Sequence, residues 1–346
     1  MEFSVFAAAL ERLEATSSRN ERTALLAALL KKARAEEIAA VSYLLLGELV
    51  PAYRGIEFNM AEKLMVNAVA AAFSVEPSAV TARYRARGDL GDAAEEFAVR
   101  WHGHRPKART VADVYMALLR LAEDSGSGSQ ERRVRGMGDL VASLNPRSAK
   151  FVTRIPLGKL RLGFSDATLL DALSVMATGD KSARAAIEGA YNVTADIGEI
   201  AKRVRQGGLG AIRRIAPKPG IPIRASLAER LRSIEDIIVK TGPIVGVEQK
   251  LDGIRTQVHV WREGGKKCVA LFSRNLENTT AMFPEIVRAA ERLTVQSAIL
   301  DGEAIGYNPR TNTFAPFQET AQRKRKHDVA SFSKKIPISI FVFDLL

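Results

Sequence analysis

"VEQKLDGIRTQVHV", residues 247–260, sets a lysine just ahead of an Asp-Gly dipeptide and an alternating run. In that run Ile254, Thr256, Val258 and Val260 alternate with Arg255, Gln257 and His259. A period of two predicts a β-strand with one half-buried face. Asp252-Gly253 is among the strongest short hairpin signals, so the local reading is a strand over 243–249 turning into another over 254–262. Inside such a hairpin Lys250 reads as a solvated residue beside a turn. A reactive role needs support from the rest of the chain.

Further strands are predicted at 267–273, 297–306 and 336–344, with helices at 226–240 and 283–293. Upstream, to about residue 210, the pattern is helical. Phe3, Phe6, Leu10 and Leu13 recur at helical spacing, and Ser18-x-x-Glu21 reads as a capping box. More helices are predicted at 60–74, 110–123, 165–177 and 196–205, with "EDSGSGSQ" (123–130) a flexible surface loop. Composition changes at "APKPGIPIRAS" (216–226), where three prolines and a glycine suit an interdomain linker. The expected architecture is multidomain: an all-α domain over 1–215, a linker over 216–225 and an α+β domain over 226–346.

A length of 346 residues suits about two domains, and 47% hydrophobic residues are ample for their cores. The net charge of +12 suits a polyanionic partner. A single cysteine, Cys268, excludes an intrachain disulfide or a four-cysteine zinc site within these residues and fits a reducing interior. The apolar stretch "AAVSYLLLGELV" (39–50) is too short to span a membrane and contains Glu48. Glu2 and Glu11 break any signal-peptide pattern, so a cytoplasmic protein with no membrane partner is expected.

Basic residues gather late in the helical region. "NPRSAKFVTRIPLGKLRLGFSDATLLDAL" (145–173) carries Arg147, Lys150, Arg154, Lys159 and Arg161 before any acid. "AKRVRQGGLGAIRRIAPKPG" (201–220) carries six cations and no acid, among them Arg213 and Arg214. For any one of them a solvated surface is the plain alternative. The grouping points further, because Gly158 and Gly163, then Gly208 and Gly210, stand just before helical stretches. Bare backbone N–H groups at helix N-termini suit phosphate oxygens. Aromatics that could stack on unpaired bases are scarce there, which favours duplex over single strand. Gly158, Lys159, Arg161, Gly163, Gly208, Gly210, Arg213 and Arg214 are therefore the candidate DNA contacts.

No phosphate loop or dinucleotide fingerprint is present, and the histidines of "WHGHRP" (101–106), His102 and His104, lack further ligands for a metal. Four stretches of the second domain stand out together: K-L-D-G-I-R at 250–255, "LFSRN" at 271–275, "ILDGE" at 299–303 and "IFVFDLL" at 340–346. Each alone is a weak signal. In this order they resemble the first four motifs of the ATP-dependent DNA ligases, within the nucleotidyltransferase superfamily. "FVTRIPLGKLRLGFSDATLLDALS" (151–174) resembles the signature of the helical DNA-binding domain of archaeal and eukaryotic replicative-type ligases. "FQETAQRKRK" (317–326) is similar to a segment those enzymes carry between the third and fourth motifs.

The resemblance implies that Lys250 attacks the α-phosphate of ATP, releases pyrophosphate and becomes a lysine–AMP adduct. AMP then passes to the 5′-phosphate of a nick in double-stranded DNA, and the 3′-hydroxyl displaces it. A lysine can do this only when neutral. An ordinary amine near pKa 10.4 is neutral about once in 2,500 molecules at pH 7, a cost of about 4.6 kcal/mol. Desolvation, Arg255, Arg274 and a bound Mg²⁺ all push against that cost. By the same resemblance Glu248 meets the adenine edge, mainly through backbone groups. Arg255 and Glu303 hold the ribose hydroxyls, Glu303 being also a candidate metal ligand. Arg274 contacts the phosphate or the nick's 5′ end, Phe343 stacks on adenine, and Asp252 and Gly253 form a tight turn that admits the nucleotide.

The sequence departs from the family where it stops, after "FDLL". Family members continue with a glutamate motif, a paired-lysine motif and a C-terminal OB-fold. The adenylation domain is expected to be partial here, and the 346-residue polypeptide is expected not to seal nicks by itself. A monomer is expected, with a sliding clamp as a candidate partner of a longer form. A GTP-dependent capping-type nucleotidyltransferase and a non-catalytic DNA-binding scaffold are the alternatives.

Overall fold

Phe3, Phe6, Leu10 and Leu13 are fully buried along one face of helix α1 (Phe3–Glu14), as their spacing requires. The computed structural model describes residues 1–346 except 102–105, 227, 309, 312 and 326, so His102 and His104 lie outside the described residues. The chain divides into two units: Met1–Tyr191 with Asp196–Ile215, and Asn192–Ala195 with Ala216–Leu346.

The first unit is helical. After α1 come α2 (Arg19–Lys32), α3 (Ile38–Leu46), α4 (Glu62–Phe73), α5 (Pro77–Arg87) and α6 (Leu90–Arg100). Then follow α7 (Val111–Glu123), α8 (Ser129–Ala142), α9 (Pro146–Arg154), α10 (Asp166–Thr178), α11 (Arg184–Thr194) and α12 (Ile197–Gly207). Side chains fix their starts. Ser18 accepts a hydrogen bond from the Glu21 amide at 3.4 Å, and Thr110 and Asp113 form a reciprocal capping box on α7. Asp196 caps α12 and also accepts a 2.6 Å bond from the buried Tyr43 hydroxyl. No single helix among the described residues is long and apolar enough to cross a membrane.

The five cations read from residues 145–161 as a basic surface are all engaged with carboxylates. Arg147 pairs with Glu11 at 2.8 Å, Lys150 with Asp92 at 3.0 Å and Lys159 with Glu62 at 3.0 Å. Arg154 is only 2% exposed and reaches Asp89 at 2.8 Å and Glu14 and Asp92 at 2.9 Å. Arg161 lies 3.6 Å from Asp89 and donates to the Gly88 carbonyl. Lys150 and Arg154 are thus enclosed, whereas Arg147, Lys159 and Arg161 stay exposed beside their carboxylates. The counter-charges come from helices distant in sequence, which no local window can see.

The second unit is built on an antiparallel sheet: β1 (Ile254–Glu263), β2 (Lys266–Ser273), β3 (Ala298–Asn308), β4 (Thr313–Phe314) and β5 (Ile338–Leu345). β1 lies between β2 and β3, and both β4 and β5 pair with β3. Helix α14 (Pro284–Glu291) covers one face, where Val258, Val260, Leu271, Phe283 and Ile286 form the core. The other helices are α13 (Ile234–Thr241), α15 (Phe317–Ala321) and α16 (Val329–Lys335).

Two local expectations are corrected. Residues 243–250 form no strand and are mostly exposed, so Asp252-Gly253 closes no hairpin. The hairpin turns instead at Gly264-Gly265, both with positive φ, between the paired Glu263 and Lys266. Gly253 is needed for a different reason: a Cβ there would lie 2.6 Å from the Ala304 carbonyl and from Ile305. β1 is also buried on both faces rather than one. Residues 216–225 contain no helix or strand, and Ile223 exchanges backbone bonds of 3.0 and 2.5 Å with the Gln257 amide.

His259 shares that covered face. It is fully buried, accepts a 3.1 Å bond from the Gly220 amide at Nδ1 and meets the Phe272 ring edge-on. Burial pushes its pKa down to about 4. The folded value lies below the unfolded one near 6.5, so the stability it contributes is complete above pH 6.5 and is lost as pH falls toward 4. Urea denaturation at pH 7.5 and 4.5 should show the wild type losing about 2–3 kcal/mol more than His259→Gln.

Candidate active site

Cross-strand register sets the first two groups. Arg255 on β1 stands directly opposite Glu303 on β3, so both side chains share the face away from α14. Glu303 accepts a 3.1 Å bond from the Gly253 amide. Its pKa is raised by burial, against the lowering effects of that amide, Lys250 and Arg255. Arg255 is gripped in bidentate fashion by Asp301, at 2.7 and 3.2 Å. Asp301 is 4% exposed, and this pairing holds the guanidinium above its ordinary pKa.

The ladder between β3 and β5 is irregular at Asp301/Gly302, where Asp301 faces Asp344 but Gly302 faces Val342. The bulge leaves Phe343 without a ladder partner. Its ring, 44% exposed, lies 5.6 Å from the Arg255 guanidinium carbon. A carboxylate, a fixed guanidinium and an exposed aromatic face therefore stand side by side. That set can hold hydroxyl groups and stack a flat ring.

Lys250, Asp252, Gly253, Arg255, Arg274 and Glu303 line one cleft of about 420 Å³, a volume within the range of small-ligand sites. α15 and Lys324 supply its other wall. Phe343 adjoins the cleft through Arg255, whereas Glu248 sits on the exposed stretch before Lys250 and does not line it. Lys250 is itself exposed, so the desolvation expected from sequence is not supplied by the residues around it. Asp301, Phe317 and Lys324 were missed in the sequence. For Asp301 the signal was there, since it sits two positions before Glu303 and so on the same strand face.

No cluster of three metal-ligating side chains occurs among the described residues. Glu303 offers one carboxylate, while Asp301 is committed to Arg255. With one carboxylate to offer, the cleft could hold a divalent cation only if most of its oxygen ligands came from a bound molecule and water.

Asp301→Asn should free one edge of the Arg255 guanidinium and let it swing from Phe343. We expect the affinity of a ligand held by Arg255 and stacked on Phe343 to fall about tenfold while the midpoint of urea unfolding shifts little. Fluorescence titration beside a denaturation curve separates the two effects.

In the first unit, the glycines proposed from sequence do not begin long helices. Gly158 follows α9 with φ of +61°, and Gly208 caps the end of α12 before a short 3-10 turn that contains Gly210. Gly163, with φ of +67°, packs against the Arg22 guanidinium, and Ser165 takes the N-cap of α10. Arg213 and Arg214 are exposed, with no ion-pair partner among the described residues.

Comparison with known families gives two matches. The family described as "DNA ligase N terminus" matches residues 2–174, and "ATP dependent DNA ligase domain" matches 225–346. A "Probable DNA ligase" of Dictyoglomus turgidum is 40% identical over 347 residues, covering 100% of this chain and 58% of the relative. A "DNA ligase" of Thermoplasma volcanium is 41% identical, with the same coverage. A "DNA ligase" of Cenarchaeum symbiosum is 42% identical, covering 100% of this chain and 59% of the relative. The chain thus spans somewhat under three-fifths of the length of these relatives.

Proposed function

The chain belongs to the ATP-dependent DNA ligase family, and on that premise we propose that it supplies the lysine that carries AMP in the sealing of nicks in duplex DNA. The observation that carries this reading is the opening of Lys250 onto the same cleft as Arg255, Arg274 and Glu303. The Lys250 amine, once neutral, attacks the α-phosphorus of ATP; the bond to pyrophosphate breaks and the amine proton passes to solvent. Arg255 and Glu303 hold the ribose, Phe343 takes the adenine face, and Arg274 contacts phosphate. The 5′-phosphate at a nick then attacks the same phosphorus and Lys250 leaves, reprotonated. Last, the 3′-hydroxyl attacks the 5′-phosphate and expels AMP. Mg²⁺ bound with the phosphates would neutralise the pyrophosphate as it leaves.

In this reading the helical unit holds the duplex backbone, with Arg213 and Arg214 free to meet phosphate and Lys159 and Arg161 able to exchange internal partners for it. The reaction belongs to the cytoplasm, where ATP and DNA breaks from replication, repair and recombination occur together. A sliding clamp remains a candidate partner of a longer form.

The test is a duplex carrying one 5′-phosphorylated nick, incubated with ATP and Mg²⁺. The full product of the gene is expected to seal it, and residues 1–346 alone are not. Failure of the full product with ATP, or sealing with GTP instead, would overturn the reading. A gel shift across salt should show nicked duplex preferred over single strand.

A further inference from the structure

The wall of the cleft opposite the strands is firmly anchored, and it ends in an unassigned cation. Thr320 on α15 is fully buried, and its hydroxyl accepts a 3.0 Å bond from the Gly306 amide on β3. Arg323 is also fully buried. Its guanidinium donates to Glu285 at 2.5 Å, to the Ile336 carbonyl at 2.6 Å and to the Met282 carbonyl at 3.3 Å. The next residue turns the other way: Lys324 lines the cleft that holds Lys250 and Arg274. A backbone tied down by these buried contacts thus presents an ammonium to the same space as Lys250.

Lys324 has a partner. Its Nζ lies 2.7 Å from the Glu277 carboxylate, and the two side chains are 39% and 50% exposed. Glu277 belongs to the turn that carries Arg274 and Asn275, where its carbonyl accepts from the Ser273 amide at 2.9 Å. Exposed ion pairs of this kind are weakly held. A phosphate in the cleft would offer the ammonium a more highly charged acceptor at little cost in the exchange.

We propose that Lys324 is a phosphate-binding residue of the Lys250 cleft, one that exchanges Glu277 for the phosphate of the bound ligand. The proposal rests on the reading of Lys250 as the nucleotide-handling lysine. Two phosphates can reach this cleft: the triphosphate chain of ATP, and the 5′-phosphate at a nick. Either places negative charge between Lys324 and Arg274.

The full product of the gene, as wild type and as Lys324→Ala, Lys324→Arg and Glu277→Gln, is titrated with α,β-methylene-ATP and with adenosine. It is also titrated with nicked duplexes bearing a 5′-phosphate or a 5′-hydroxyl. If the phosphate is the nucleotide's, Lys324→Ala weakens α,β-methylene-ATP binding about tenfold and leaves adenosine unchanged. Lys324→Arg restores most of that loss, and Glu277→Gln tightens binding about threefold. If the phosphate is the nick's, Lys324→Ala instead erases the preference for 5′-phosphate over 5′-hydroxyl. A Lys324→Ala protein that melts like wild type and changes neither difference overturns the proposal, while ATP labelling of Lys250 in that protein leaves the ligase reading intact. Loss of labelling from the wild type itself would instead sink the ligase reading.

Discussion

On the proposed reading, Lys250→Arg is expected to abolish covalent capture of AMP while leaving noncovalent ATP binding within about threefold of wild type. The substitution keeps the positive charge and most of the side-chain length. Because Lys250 is exposed, the larger guanidinium meets no packed neighbour. What it removes is the lone pair. A guanidinium is far more basic than an amine, so the neutral form at pH 7 becomes rarer by roughly three orders of magnitude. Adduct formation should fall by at least that factor, to background on a gel. Equal loss of binding and labelling would mean that Lys250 serves as a charge and not as a nucleophile.

The second large effect concerns stability. Arg323→Ala should lower the stability of the C-terminal unit by about 3–5 kcal/mol, since it strips a buried charge pair of one partner. Glu285 would then keep a carboxylate in a largely enclosed place, one of whose oxygens already has no hydrogen-bond partner. The carbonyls of Ile336 and Met282 would lose their donor as well. Urea unfolding of the single variant measures the loss. The double variant Arg323→Met, Glu285→Leu should recover most of it, because a matched apolar pair leaves no unpaired charge. A loss below about 1 kcal/mol in the single variant would show that Arg323 is not the anchor of the wall.

These two residues differ in how visible they were. Lys250 stood in a short motif whose order with three others carried the resemblance, and the structure adds the cleft it lines. The strand after it was equally legible, because alternation from Ile254 to Val260 survives any tertiary context. Its second buried face was not, since the cover comes from residues 220–223, which read as linker. Asp252-Gly253 misled for a related reason: a dipeptide sets a local preference, but a hairpin also needs a partner strand, and 243–250 supplies none. Gly253 answers instead to the backbone of β3.

Long-range charge pairing was the least readable feature. Arg154 looked like a member of a basic run, yet it is buried against carboxylates far away in sequence, and Arg323 is likewise buried against Glu285. Arg255 carried the opposite lesson. Its motif marked it for a ligand, and the structure adds the carboxylate that aims it and the ring beside it.

The account turns on one covalent bond. The full product of the gene is incubated separately with α-phosphate-labelled ATP and GTP and with adenylate-labelled NAD, then digested and mapped. The prediction is label from ATP alone, on the peptide containing Lys250, lost in Lys250→Ala. Label drawn from GTP or NAD in its place, or label that survives the substitution, would contradict it.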